Sequence, residues 1–85
     1  MGDSEFSNSM LYKYDYSFLK KRMNDYRYSV QSLAESIGIT RVSLSNKLNN
    51  HSPFSQDEIL KIAKLLDIDH DQIAHYFFIR VVNKS

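Results

Sequence analysis

The 85-residue chain has no cysteine, no tryptophan, one proline and two glycines. Without cysteine there is neither a disulfide framework nor a thiolate metal site, a usage that suits a reducing cytoplasm. So little proline and glycine argues against a turn-rich β fold and against a glycine loop that cradles phosphate. No apolar run approaches the roughly 20 residues needed to cross a bilayer, and no stretch has the make-up of a signal peptide. A chain this short buries only about 60% of its unfolded surface. Helix packing, helped by a partner subunit, has to supply the stability. These absences leave one small all-helical domain.

The charge is nearly balanced, at +1 overall, but it is unevenly placed. From Met10 to Phe54 seven basic residues (Lys13, Lys20, Lys21, Arg22, Arg27, Arg41 and Lys47) stand against Asp15, Asp25 and Glu35, a net +4. From Ser55 onward four basic residues face five acidic ones, a net −1. A surface that faces phosphates requires an asymmetry of this kind.

Residues 1–9, MGDSEFSNS, lack apolar periodicity and read as a disordered leader added in expression, with Met10 as the natural start. The domain then spans 10–78. A first helix opens at Tyr14 or Asp15 and runs to about Asp25, with Phe18, Leu19 and Met23 as its apolar stripe. Tyr26, Arg27 and Tyr28 lead to Ser29, an N-cap for a second helix whose inward positions are Leu33, Ala34 and Ile37. Gly38 ends that helix where a left-handed backbone is needed. Thr40 caps a third helix with Leu44 and Leu48 inward. After the turn at Asn49–Phe54, S-Q-D-E from Ser55 is a capping box. It opens a core helix carrying Ile59, Ile62, Ala63 and Leu66, which stops near Asp67. Asp69 caps a short fifth helix with Ile73, Ala74 and Phe77 at helical spacing.

Ser29 to Asn50 thus has the pattern of a helix-turn-helix. Through L-A-E-S-I-G-I-T-R-V-S-L-S-N-K-L-N, Leu33 to Asn49, the chain resembles the DNA-binding unit of the phage Cro/repressor (Xre-type) family, in the manner of small phage-encoded regulators. Ala34, Gly38 four residues later and Leu44 six after that are its most specific part. The resemblance implies a five-helix repressor-like domain with the third helix lying in the major groove of duplex DNA. Its groove-facing positions would be Arg41, Val42, Ser45 and Asn46. Arginine suits guanine O6 and N7, asparagine suits adenine N6 and N7, and valine packs against a thymine methyl. Phosphate contacts would come from Gln31, Thr40, Ser43, Lys47, Asn49 and Asn50. Lys47 departs from the family pattern, since many relatives carry an aliphatic residue there.

The end of the chain, HYFFIRVVNKS, is aromatic and β-branched with a period of two, the signature of a strand. A lone strand leaves backbone groups unpaired, so it must fold back on its own chain or join another. The resemblance favours a dimer in which Tyr76, Phe78, Ile79 and Val81 pair the tail, residues 79–85, between subunits.

Catalysis finds little support. His70 and His75 lie about 140° apart around a helix, and Asp69 and Asp71 serve better as cap and first-turn charges. The sequence therefore points away from an enzyme and calls for no metal or cofactor. It indicates a cytoplasmic, nucleoid-associated regulator of bacterial type that binds an operator in double-stranded DNA as a homodimer. The rival is a helix-turn-helix that binds a regulatory protein, such as an antirepressor or an antitoxin-like subunit, with the aromatic tail as its contact surface.

Overall fold

The computed structural model describes residues 13–81. They form five α-helices: α1 Ser17–Asp25, α2 Val30–Ile37, α3 Arg41–Leu48, α4 Gln56–Leu65 and α5 Ile73–Phe77, the last entered through a 3-10 turn at His70–Gln72. The domain is all-α, as the sequence indicates. The proposed leader and the last four residues of the tail lie outside the described residues.

Three helices begin on hydroxyl caps. The Ser29 hydroxyl accepts the Ser32 N–H at 3.0 Å, and the Ser32 hydroxyl closes the box by accepting the Ser29 N–H at 2.9 Å. Thr40 Oγ1 accepts the Ser43 N–H at 3.0 Å. At α4, Ser55 Oγ accepts the Glu58 N–H at 3.1 Å while Glu58 Oε1 accepts the Ser55 N–H at 2.8 Å. Each such cap contributes about 1 kcal/mol. The other two starts differ from expectation. Asp69 precedes the 3-10 turn in extended backbone, but its carboxylate caps nothing. Helix α1 starts at Ser17, later than the Tyr14 or Asp15 start that the periodicity suggests. The Asp15 carboxylate instead accepts the N–H of Ser17 at 2.9 Å and its hydroxyl as well. These bonds hold the Asp15 carboxyl below its ordinary range.

The first four helices all end in the same way. In each, the residue after the C-cap position or at it turns left-handed: Arg27 at φ 63°, Gly38 at 83°, Asn50 at 65° and Asp67 at 56°. In each, the following N–H reaches back to a carbonyl five residues earlier. The four bonds are Tyr28 to Met23, Ile39 to Ala34, His51 to Asn46 and Ile68 to Ala63, at 2.8–3.0 Å. This is the Schellman arrangement, which satisfies carbonyls that the helix leaves free. Tyr28, Ile39 and Ile68, arriving just after the turn, pack on the core. The repeated motif makes the chain reverse sharply four times, using a single glycine.

One core unites the helices: Tyr16, Leu19 and Met23, Leu33, Ala34 and Ile37, Leu44 and Leu48, Ile59, Ile62 and Ala63, and Leu66, Ile68 and Phe77. Phe54, from the turn after α3, stands edge-on between Tyr16 and Phe77 with centroids 5.4 Å from each. Burial pushes the Tyr16 phenol up in pKa. Phe18 departs from the predicted stripe. It is 46% exposed and stacks on His75 at 4.3 Å. Leu19 and Met23 take the inward face, and Arg22 bridges to α4 by donating to the carbonyls of Leu66 and Asp67 at 2.8 and 2.7 Å.

The tail requires a correction. Helix α5 continues through Tyr76 and Phe77, as the helical spacing of Phe77 indicates, so the two-residue alternation that starts at Tyr76 does not describe this stretch. Among the described residues the extended part is a single antiparallel bridge, Tyr14 with Arg80. The Asp15 N–H donates to the Ile79 carbonyl at 2.7 Å, and the Val81 N–H donates to that of Lys13 at 2.8 Å. Backbone pairing assigned to a second subunit is thus satisfied, on this edge, within the chain.

Candidate nucleic-acid interface

Helix α3 is short, about 12 Å at 1.5 Å per residue, and it packs chiefly against α2. Leu44 and Leu48 fix its roll, being fully and almost fully buried. At 100° per residue, Arg41, Ser45, Asn49, Val42 and Asn46 then span an arc of about 140° that begins beside Leu48 and turns away from it. Arg41, Val42, Asn46 and Asn49 are exposed and Ser45 is half-buried. Val42, at 64% exposure, is the most exposed of the large apolar side chains among the described residues. An apolar side chain so placed covers nothing inside the molecule.

The Arg41 guanidinium and the Asn46 amide have no side-chain partner in the described residues, so both are available to a ligand. Asn49 makes one long bond, donating to Ser45 Oγ at 3.5 Å. Thr40 uses a lone pair on the Ser43 N–H and keeps its own hydroxyl proton. Ser43 is half-buried behind it. Gln31, exposed on α2, spends one amide hydrogen on Glu35 at 3.3 Å. The face contributed by α3 carries one guanidinium, amides, hydroxyls and a methyl-bearing side chain, with no carboxylate of its own.

Two expected phosphate contacts are turned inward instead. The Lys47 ammonium donates to the Pro53 carbonyl at 3.1 Å and lies 3.3 Å from Glu58 Oε1, with only 13% of its side chain exposed. Its contacts with the Pro53 carbonyl and Glu58 draw it to the covered side, whereas Arg41, equally three residues from Leu44, stays exposed. The capping carboxylate of α4 neutralises the charge of Lys47. Asn50 is also committed. Its amide oxygen accepts the Tyr14 N–H at 2.8 Å, and its amide nitrogen donates to the Tyr14 carbonyl at 3.0 Å. The side chain thereby pairs with Tyr14 as a neighbouring strand would. Neither side chain is free to meet a phosphate.

The expected dimerisation residues separate in the same manner. Tyr76 is half-buried beneath the Arg22 guanidinium, 5.8 Å from its ring centroid, and Ile79 is half-buried. Phe78 and Val81 are 52% and 54% exposed. The Phe78 ring stands edge-on to Tyr14 at 6.1 Å.

A protein-family model described as "Protein of unknown function (DUF739)" matches residues 12–80. The chain belongs to the DUF739 family. The match spans all five helices and both sides of the Tyr14–Arg80 bridge, so the whole folded unit is the DUF739 unit. No curated protein matches the chain. Among the described residues, no helix of this DUF739 domain is long and apolar enough to cross a membrane.

Proposed function

We propose that this protein is a sequence-specific double-stranded DNA-binding regulator of transcription, acting as a homodimer on an operator. The observation that supports it most is the outward face of α3. Arg41, Val42 and Asn46 are held off the body by buried Leu44 and Leu48, and no side chain of the described residues engages Arg41 or Asn46. Each is of a type that reads a base edge in the major groove. Thr40 and Gln31 flank them with donors suited to the phosphate backbone, and the free N–H groups at the start of α3 add positive potential. The excess of basic residues from Met10 to Phe54 favours the same partner.

Exposed Phe78 and Val81, beside the Tyr14–Arg80 bridge, supply the apolar surface for a second copy. Two α3 helices about 34 Å apart would then meet successive major grooves on one side of the duplex. Such a protein would act in the cytoplasm, on the nucleoid, repressing by covering a promoter. Selection of bound sequences from a random duplex library tests the reading. A near-palindromic site, with half-site centres about one helical turn apart, supports it. Recovery of no enriched sequence, together with capture of a protein partner by the α3 face, would favour the antirepressor-like or antitoxin-like alternative.

A further inference from the structure

With Lys47 folded onto Glu58 and the Asn50 amide clamped to Tyr14, neither residue at the end of α3 is left to meet a phosphate. The following turn, residues 49–56, contains no lysine or arginine of its own. The same clamp brings a replacement. Tyr14 is held by both backbone groups to Asn50, and Asn50 is fixed to α3 by its left-handed backbone and its N–H bond to the Lys47 carbonyl at 3.1 Å. The Tyr14 ring is pinned against Tyr16 and Phe78. Lys13 precedes it by one residue, with its carbonyl held by the Val81 N–H. Its backbone is therefore tied on one side to the tail and through Tyr14 to the end of α3. Its side chain is exposed and has no partner among the described residues.

We infer that Lys13 supplies the phosphate-neutralising cation at the C-terminal end of α3, and that Asn50 is the positioning residue that holds it there. This rests on the DNA-binding reading and extends the interface from one helix to a segment distant in sequence. The contact is to the backbone of the duplex, so it adds affinity without base preference.

The test is the salt dependence of binding to a fluorescein-labelled random-sequence duplex of about two helical turns, followed by anisotropy with the full chain. Removing one cation that neutralises a phosphate lowers the magnitude of the slope of log K against log salt by about 0.9, so a homodimer that loses one from each subunit loses about 1.8. Lys13→Gln is expected to lower it by that amount and Lys13→Arg to restore it. Lys47→Met is expected to leave the slope unchanged. Asn50→Gly keeps the left-handed backbone, removes the clamp and leaves the net charge untouched. It should nevertheless weaken binding in the same direction as Lys13→Gln, with circular dichroism confirming the fold. An unchanged slope in Lys13→Gln, with Arg41→Ala still weakening binding to the selected operator, overturns the role of Lys13 and leaves the DNA-binding reading standing. Absence of duplex binding by the unaltered protein at every salt concentration overturns both.

Discussion

The Lys47 ammonium sits 3.3 Å from Glu58 Oε1, joining the last turn of α3 to the first turn of α4 through side chains that are 13% and 16% exposed. Glu58 also closes the α4 capping box and so serves two structural tasks at once. Burial raises its pKa, but the Ser55 N–H, the Lys47 ammonium and the Ser55 hydroxyl together outweigh this and hold the carboxyl below its ordinary range.

A depressed carboxyl contributes stability that is present above its unfolded pKa and is lost as pH falls through its folded value. Melting temperature should therefore decline as pH drops below about 5, where unfolded glutamate begins to take up protons. Glu58→Gln should lower the melting temperature at pH 7, costing roughly 1–2 kcal/mol for a weakened cap and an unpaired ammonium. It should also flatten the acid limb. Thermal melts followed by circular dichroism from pH 3 to 8 check both effects; an acid limb identical in the two proteins would exclude Glu58 as a contributor.

The four left-handed helix ends give a second prediction with opposite signs at two sites. A methyl group at Gly38 would meet nothing within 4 Å, so Gly38→Ala carries only the backbone cost of φ 83°. That cost is about 1–2 kcal/mol, a drop of about 4–8 °C in melting temperature per kcal/mol for a domain of this size. Arg27 holds φ 63° with an exposed side chain. Arg27→Gly relieves the strain but loosens the unfolded chain by about 0.4–1 kcal/mol, leaving a small net gain. Melting temperatures that move in opposite directions are the expected result.

Association can be tested at the two exposed tail side chains without cutting the chain, which would also open the Tyr14–Arg80 bridge. Phe78→Ser with Val81→Ser should leave helicity intact and convert dimer to monomer in sedimentation equilibrium. A full-length protein that is already monomeric at high micromolar concentration would contradict the proposed homodimer.

Much of the architecture was legible because it rests on local rules. Ser29, Thr40 and Ser55 cap, Gly38 reverses the chain, and the apolar positions of α2, α3 and α4 repeat at helical spacing. What escaped depends on contacts between distant segments or on weaker local signals. Arg27 adopts a backbone conformation that its residue type seldom signals, and Asp67 gives only the weak signal that aspartate tolerates it. Asn50 did carry a signal, since asparagine is the usual substitute for glycine at that position. Spacing to Leu44 does not separate buried Lys47 from exposed Arg41, and the partner that makes burial of Lys47 tolerable, Glu58, lies on another helix. The clamp on Tyr14 spans 36 residues and leaves no pattern in the sequence. At Tyr76 and Phe77 two patterns overlap, a two-residue alternation and the helical spacing from Ile73, and burial of Phe77 in the core goes with the helical one.

The central claim is that the exposed face of α3 reads DNA, and Arg41→Ala at the selected operator tests it most directly. Arg41 has no partner within the described residues, so its removal should leave the circular dichroism spectrum and melting temperature unchanged. Specific affinity should fall by the worth of one bidentate base contact, about 1–3 kcal/mol. Unaltered operator affinity in a folded Arg41→Ala protein would contradict the account.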